Sequence, residues 1–298
     1  MSVSDRLRLL GGYVRRDTIV LRRLSRALGD NLLLTAVARE IRRARPGRRI
    51  IVETTLPEIF DHNPNVDWAV DARWMGVPGV SRPRYRIEPG APADHILDQL
   101  FEQVGLPRGK TERRPEMYFS PAELSVFADA FPAGAVVVCP VGKQSHASDR
   151  KEWGFDRFQG VVDARSDLRW IQVGSPTDPL LRGAADHRGL RVRMTAGLLR
   201  RAKLFLGLEG GLMHLARAVD TPAVVVYGGA LHPAVSGYAQ QVALWRRPAC
   251  SPCFSSHDPM SPCPHARGCL TSISVDDVLE AVASVIDRES GIDRTRRP

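Results

Sequence analysis

The sequence lacks most of the features by which a single motif would settle a function. None of its apolar runs comes near the roughly eighteen residues that a membrane-spanning helix needs. The opening MSVSDRLRLLGGYVRRD has no apolar core of the kind a secretory leader carries. There is no GxGxxG with an acidic residue at dinucleotide-binding distance and no Walker A pattern, so neither common nucleotide fingerprint applies. Internal repeats and low-complexity tracts are missing as well. Aromatic residues make up 6% of the chain, and the first fifty residues hold only Tyr13. That leaves no basic module with interleaved aromatics, and nucleic acid is not expected as a partner. A cytoplasmic protein is expected, at most peripheral on the inner face of the plasma membrane.

What is present is an ordinary globular composition, with 43% hydrophobic and 25% charged residues over 298 positions, enough for two domains. The charge is unevenly spread. Residues 1–50 hold thirteen Arg and no Lys against Asp5, Asp17, Asp30 and Glu40, an excess equal to the +9 of the whole chain. Such a segment suits an anionic membrane leaflet or an acidic glycolipid; Arg-rich, solvated helix faces are the plainer account.

The stretch from Leu204 to Gly229 organises the rest. An apolar run at Leu204–Leu206 enters Glu209-Gly210-Gly211, a helical pattern carries Leu212, Leu215, Ala216 and Val219 on one face, and a second apolar run, Ala223–Val226, ends in Gly228-Gly229. This is a strand, helix, strand unit of a parallel α/β sheet. Ligands collect outside the carboxyl ends of such strands, where glycine permits close backbone approach and helix amides attract anions.

Along the chain, Thr18–Leu21 is expected as a first strand, Gly29-Asp30-Asn31 as a loop, and Leu32–Arg45 as a helix. Strands follow at Ile50–Val52 and Val66–Val70, with a short helix at Leu56–Phe60 between them. Residues 72–92 are expected as a loop, Ala93–Val104 as a helix, and Glu116–Phe119 as a last strand before a helix starting at Ser120-Pro121. Phe131-Pro132-Ala133-Gly134 is the expected boundary, dividing the chain into domains 1–132 and 133–298. The second half opens with a strand at Ala135–Val138, then a polar loop Lys143–Glu152, a helix Phe155–Ala164 and a strand Leu168–Val173. Thr195 is expected to cap a helix through Ala202, Val242–Trp245 to form a strand, and Ser274 to start a final helix through Val285. The fold class is thus α/β, with two Rossmann-like domains facing a ligand cleft.

Five motifs in register resemble those of the ADP-heptose heptosyltransferases, glycosyltransferase family nine, whose fold is the GT-B arrangement. They are Leu28-Gly29-Asp30-Asn31-Leu32-Leu33-Leu34-Thr35; His62-Asn63-Pro64-Asn65-Val66-Asp67; Lys151-Glu152-Trp153-Gly154 with Arg157-Phe158; Glu209-Gly210-Gly211-Leu212-Met213-His214; and Tyr227-Gly228-Gly229 with Pro233 and Ser236-Gly237-Tyr238. The resemblance implies an inverting transferase. It would move a sugar, such as heptose, from a nucleotide-diphosphate donor like ADP-heptose to a hydroxyl of an envelope glycan, lipopolysaccharide core or similar anionic glycan or glycolipid. A nucleotide-sugar binding protein without catalysis and a GT-B-like epimerase are the alternatives.

The resemblance assigns Asp30 as the base that takes the acceptor's proton, where the residue type alone suggests a helix N-cap. It assigns Lys151 as the cation on the departing diphosphate, with Arg150 as an adjacent substitute; unaided, the sequence suggests a solvated lysine. Gly29, Glu209, Gly210, Gly211, His214, Gly228 and Gly229 fall to donor binding, although a lone helix histidine is more often structural. Glu209-Gly210 stands where the family most often has Asp-Ser or Asp-Thr, which bears on the donor sugar. Trp153 is expected to pack in the core. The chemistry implied needs no metal. Cys250, Cys253, Cys263 and Cys269 form CxxC followed by two more thiols, a set able to hold a structural zinc, or iron as the resemblance to autotransporter-modifying members implies; free loop thiols remain the alternative.

Overall fold

The structure, a computed structural model, describes residues 17–22, 25–71, 94–107, 111–142, 148–246, 249–251, 253 and 263–290. The expected loop at 72–92, the first sixteen residues of the basic segment and residues 143–147 of the polar loop lie outside these. Among the described residues the chain divides into two compact units, the first comprising 17–71 and 94–123, the second beginning at Leu124.

In the first unit, β1 (Thr18–Arg22), β2 (Arg49–Thr54) and β3 (Trp68–Asp71) form a parallel sheet in the order β1-β2-β3. Helix α1 (Leu28–Ala44) follows β1 and buries Leu32, Leu33, Val37 and Ile41, the apolar positions that predict it. It starts a turn earlier than expected from Leu32. Helix α2 (Ile96–Gln103) packs against α1. The strand expected at Glu116–Phe119 is not formed. Side chains of α1 hold that segment instead: Thr35 Oγ1 accepts the Glu116 N–H at 2.9 Å, and Arg39 donates to the Arg114 carbonyl at 2.8 Å and to the Glu116 carboxylate at 3.0 Å. Buried and ringed by Glu40, Glu116 and Glu112, Arg39 has its pKa raised despite the opposing effect of burial. Arg42 and Arg43 of α1 are likewise paired, with Asp67 and Glu40, so part of the basic segment is neutralised within the fold.

Helix α3 (Pro121–Ala130) starts at a capping box, with Ser120 and Glu123 bonding each other's backbone N–H at 2.9 and 3.3 Å. Further along, the Phe127 ring fills the space beside Gly197, where a Cβ would meet it at 2.4 Å.

The second unit is a parallel sheet of β4 (Val136–Cys139), β5 (Trp170–Gln172), β6 (Ala184–Asp186), β7 (Leu204–Leu208), β8 (Ala223–Val226) and β9 (Gln241–Leu244), in the order β6-β5-β4-β7-β8-β9. Strands β4, β7 and β8 are buried throughout and read as continuous apolar runs. Strand β6 was not expected; its Ala-Ala-Asp has no apolar alternation to signal it. Helices α4 (Phe155–Ala164), α5 (Val192–Arg201), α6 (Gly211–Ala218), the short α7 (Pro233–Ser236) and α8 (Gly268–Thr271), and α9 (Val275–Ser290) complete it. Thr195 lies inside α5 rather than at its cap, its hydroxyl on the Arg191 carbonyl at 3.2 Å. Helix α9 does begin after Ser274, which with Asp277 forms a second reciprocal cap, and covers β7, β8 and β9.

Trp153 is a core residue, 3% exposed, edge-on to Phe158 at 4.9 Å and donating from Nε1 to the Ile273 carbonyl at 3.0 Å. Truncating it removes a large buried ring and one of the two donors to that carbonyl, which also accepts from Arg157 at 2.7 Å. Trp153→Ala is expected to lower the unfolding free energy by about 3–5 kcal/mol, as read by urea denaturation; a loss below about 1 kcal/mol would contradict this role.

Candidate functional site

The second sheet leaves β4 in one direction, through β5 to β6, and returns to pair β7 on the other side of β4. Strand order therefore reverses between β4 and β7, and the crevice outside their carboxyl ends is where ligands bind in open α/β sheets. Two expected residues meet there. Lys151 closes a 3-10 turn, Ser148–Lys151, in the connection leaving β4, and Glu209 follows directly on β7. The Lys151 ammonium forms an ion pair with Glu209 Oε2. Side-chain exposure is 21% for the lysine and 6% for the glutamate, so the cation is reachable and the carboxylate is not. Ser236 Oγ donates to Glu209 Oε1 over 3.4 Å. Among the described residues Oε2 has no hydrogen bond in good alignment, and the Lys151 ammonium is its ion-pair partner.

Next to this pair the backbone is shaped for close approach. Gly210 has φ 154°, a conformation reserved for glycine, and no atom lies within 4 Å of the place a Cβ would take. It is the N-cap of α6 and supplies no side-chain cap, so the first amides of that helix, starting at Gly211, lack an acceptor from this residue. An ammonium, an open glycine and a helix N-terminus at a switch point together make a candidate anion site.

Gly228 and Gly229 serve packing inside the protein. A Cβ on Gly228 would collide with the Arg150 carbonyl, and one on Gly229 would lie 3.1 Å from Cys269 Sγ. The Gly229 N–H donates to Cys269 Sγ at 3.0 Å, and its carbonyl accepts from the Cys253 N–H at 2.8 Å and the Ser251 hydroxyl at 3.1 Å. Arg150 is buried, with Nη1 directed to the Cys253 carbonyl, which rules it out as a substitute for Lys151 in this arrangement. Asp149 accepts the Cys263 N–H at 3.2 Å. The cysteine-bearing segment thus buttresses both the β8 loop and the turn that carries Lys151. Burial raises the Cys253 thiol's pKa, opposed by Arg150 and reinforced by the thiols of Cys250, Cys263 and Cys269; burial raises Cys269 too. Among the described residues no three His, Cys, Asp or Glu side chains are placed to hold an ion, so the thiols converge without forming a ready-made metal site. Cys139 is inert, its thiol pushed up to about 12 by burial.

His214 is 5% exposed, its Nδ1 2.7 Å from the Tyr238 hydroxyl and its ring edge-on to that tyrosine. Tyr227, wholly buried, directs its hydroxyl to Met213 Sδ at 3.0 Å. Burial raises both tyrosines, with Glu209 adding to it, so they stay neutral donors behind the carboxylate. Ser236 belongs to one of the five motifs without a role of its own there, and no sequence motif singled out Asp149.

In the first unit, Gly29 and Asp30 lie in the first turn of α1, not in a preceding loop. The N-cap is Ala27, without a side-chain cap, so Asp30 is no N-cap either. Its carboxylate accepts a hydrogen bond from Ser25, whose hydroxyl also accepts the Ala27 N–H at 2.9 Å. Asn31 braces the same turn, donating to the Ala27 carbonyl at 2.7 Å and accepting from Thr54. Ser25 is a positioning residue that no sequence motif singled out.

Two units built on parallel α/β sheets, the second with a candidate anion site at its switch point, are the architecture of the GT-B fold. Residues 190–263 match the model of glycosyltransferase family 9 (heptosyltransferase). A family 9 glycosyltransferase from Veillonella parvula DSM 2008 is similar over 91% of this chain and 98% of its own, at 16% identity and TM-score 0.72. ADP-heptose lipopolysaccharide heptosyltransferase II of E. coli is similar over 91% and 99%, at 14% identity and TM-score 0.68. The iron-containing dodecameric glycosyltransferase TibC of enterotoxigenic E. coli is similar over 93% and 80%, at 16% identity and TM-score 0.68. No curated sequence matches. The family model thus covers part of the second unit, and the likeness to these structures over nine-tenths of the chain shows that it has their fold.

Because the Gly228 contact is with backbone, it has no flexible end to yield. Gly228→Ala is expected to cost about 1–3 kcal/mol of stability, visible as a lowered melting temperature; an unchanged melting temperature would contradict the contact.

Proposed function

We propose that the chain is an inverting transferase that moves heptose from an ADP-heptose-like donor to a hydroxyl of an envelope glycan such as a lipopolysaccharide core. The observation that carries it is the pairing of a reachable ammonium, Lys151, with an open glycine and a helix N-terminus at the β4–β7 switch point. Relatives of the same fold are named for ADP-heptose or were solved with it or with ADP, which supports the donor class.

In this reading the diphosphate lies on Lys151 and the first amides of α6. Charge grows on the leaving phosphate as the anomeric bond breaks, and a fixed ammonium stabilises that state more than the ground state. Asp30, oriented by Ser25, takes the acceptor hydroxyl's proton as its oxygen forms the new glycosidic bond. The anionic glycan or glycolipid acceptor, with peripheral contact to an anionic membrane, belongs to the same proposal; no described helix is long and apolar enough to cross a membrane.

Two variants test the assignment. Lys151→Ala is expected to lower kcat/KM by about 10²-fold or more, and Asp30→Asn to abolish turnover while donor affinity, read by thermal shift, is kept. Wild-type kinetics in either would remove that residue from the chemistry, and a protein that binds ADP-heptose but turns over no acceptor would be a binding module.

A structural zinc or iron on Cys250, Cys253, Cys263 and Cys269 is the second part of the proposal. Its support is the four-thiol donor set and its convergence on Gly229. Elemental analysis of protein purified without chelator or affinity metal is expected to find about one equivalent, lost with thermal stability in the Cys250→Ser, Cys253→Ser variant. Metal-free protein of unchanged stability would leave these residues as thiols that buttress the loop.

A further inference from the structure

We infer that Glu152 is a positioning residue: its carboxylate closes the neck of the loop that carries Lys151 and, with Arg267 on the same turn, fixes where the ammonium stands. The inference rests on the donor-site reading above and concerns how that site is held in place.

Directly after Lys151, Glu152 Oε1 accepts the Gly142 N–H at 2.9 Å and so joins the exit from β4 to the end of the 3-10 turn. The contact is close: a Cβ on Gly142 would meet that oxygen at 2.7 Å and Leu208 Cδ1 at 3.5 Å. Leu208 ends β7 and precedes Glu209, so the neck packs against the strand that presents the ion-pair partner of Lys151. Arg267, the N-cap of α8, reaches the same turn. It donates from Nη1 to the Glu152 carbonyl at 3.3 Å, and its Nε lies 3.7 Å from the Asp149 carboxylate. It does so from a left-handed backbone, φ 57° after Ala266 at φ 47°, which two consecutive residues with side chains rarely adopt. Such strain persists only where the surrounding structure holds it, and here it is held against the turn that carries the cation.

The charge on Glu152 is a burden to the fold. Burial raises its pKa and the Asp178 carboxylate adds to that, while the Gly142 N–H and the Arg267 guanidinium oppose the rise without cancelling it. The Cys139 thiol, which also faces it, is neutral. A carboxyl whose pKa is raised on folding stabilises the fold in its protonated form, and that contribution is lost as pH rises through the folded pKa. The ionised Glu152 therefore detracts from stability, whereas a residue kept for the scaffold adds to it. What the charge supplies is a stronger acceptor for the Gly142 N–H than a neutral amide would be, and an attraction for Arg267.

The test is calorimetric titration of the whole protein with ADP, alongside melting temperatures, in wild type, Glu152→Gln, Arg267→Gly, Lys151→Ala and the double variant Glu152→Gln, Lys151→Ala. Glutamine keeps the shape and loses the charge; it is expected to weaken ADP binding about fivefold while melting at the wild-type temperature or above. Glycine at 267 suits the left-handed backbone and is expected to weaken ADP by a similar factor without loss of stability, and it decides the matter if the glutamine variant does not fold. In the Lys151→Ala background Glu152→Gln is expected to change ADP affinity no further, because it acts through the lysine. The wild type's advantage over Glu152→Gln is expected to shrink as pH falls and Glu152 takes up a proton; the titration of ADP itself is common to both proteins and does not produce this. ADP binding that is unchanged in both single variants, weakened only along with the melting temperature, or weakened equally again in the double variant would overturn the inference while leaving the donor site intact. ADP that binds Lys151→Ala as well as the wild type would instead overturn the donor-site reading, and the inference with it.

Discussion

One buried carboxylate facing one reachable ammonium sets the demands that the rest of the second unit meets. Glu209, 6% exposed, has the Lys151 ammonium as the ion-pair partner of its carboxylate, and a buried carboxylate that loses such a partner is strongly destabilising. The two residues are fifty-eight positions apart in the sequence, and neither belongs to a regular helix or strand. Their meeting depends on β4 and β7 being neighbours, so that the loops leaving both open on the same edge at the reversal of strand order.

Holding such a pair requires loops as fixed as the strands beneath them. The structure achieves this by removing side chains where backbones must touch. Gly228 lets the β8 loop meet the Arg150 carbonyl, Gly229 lets it meet Cys269, and the cysteine-bearing segment bonds back to Gly229, Arg150 and Asp149. The glycine pairs at two strand ends therefore act differently. Gly210 faces open space and is available to a ligand, whereas Gly228 and Gly229 are closed by protein atoms.

The first unit applies the same economy to Asp30. A helix that begins at Leu28 without a side-chain cap places Asp30 in its first turn, where a carboxylate complements the helix dipole, and Ser25 and Asn31 fix its surroundings. The arginines that dominate this end of the chain are partly committed to structure: Arg39 ties α1 to the 112–116 segment, and Arg22 pairs with Glu53 across adjacent strands. Their number in the sequence thus overstates the positive charge the unit presents to a partner.

Apolar periodicity announced nearly every buried element, because burial is the force that writes it. Strands β4, β7 and β8, the helix Phe155–Ala164 and the core position of Trp153 were all legible for that reason. So were the helix starts at Ser120 and Ser274, whose capping partners lie three residues on. Where hydrogen bonds rather than apolar contact decide the outcome, the sequence misled: Glu116–Phe119 has strand-forming residues but bonds to Thr35 and Arg39, and Thr195 turned inward instead of capping. The five motifs carried the resemblance to the family and pointed to Asp30, Lys151 and Glu209 as candidates for its chemistry. Which of these groups touch, which glycines are open, and that Ser25 and Ser236 attend the two carboxylates were decided by the tertiary structure, since contacts between loops of separate strands depend on sheet order and leave no periodic trace in the chain.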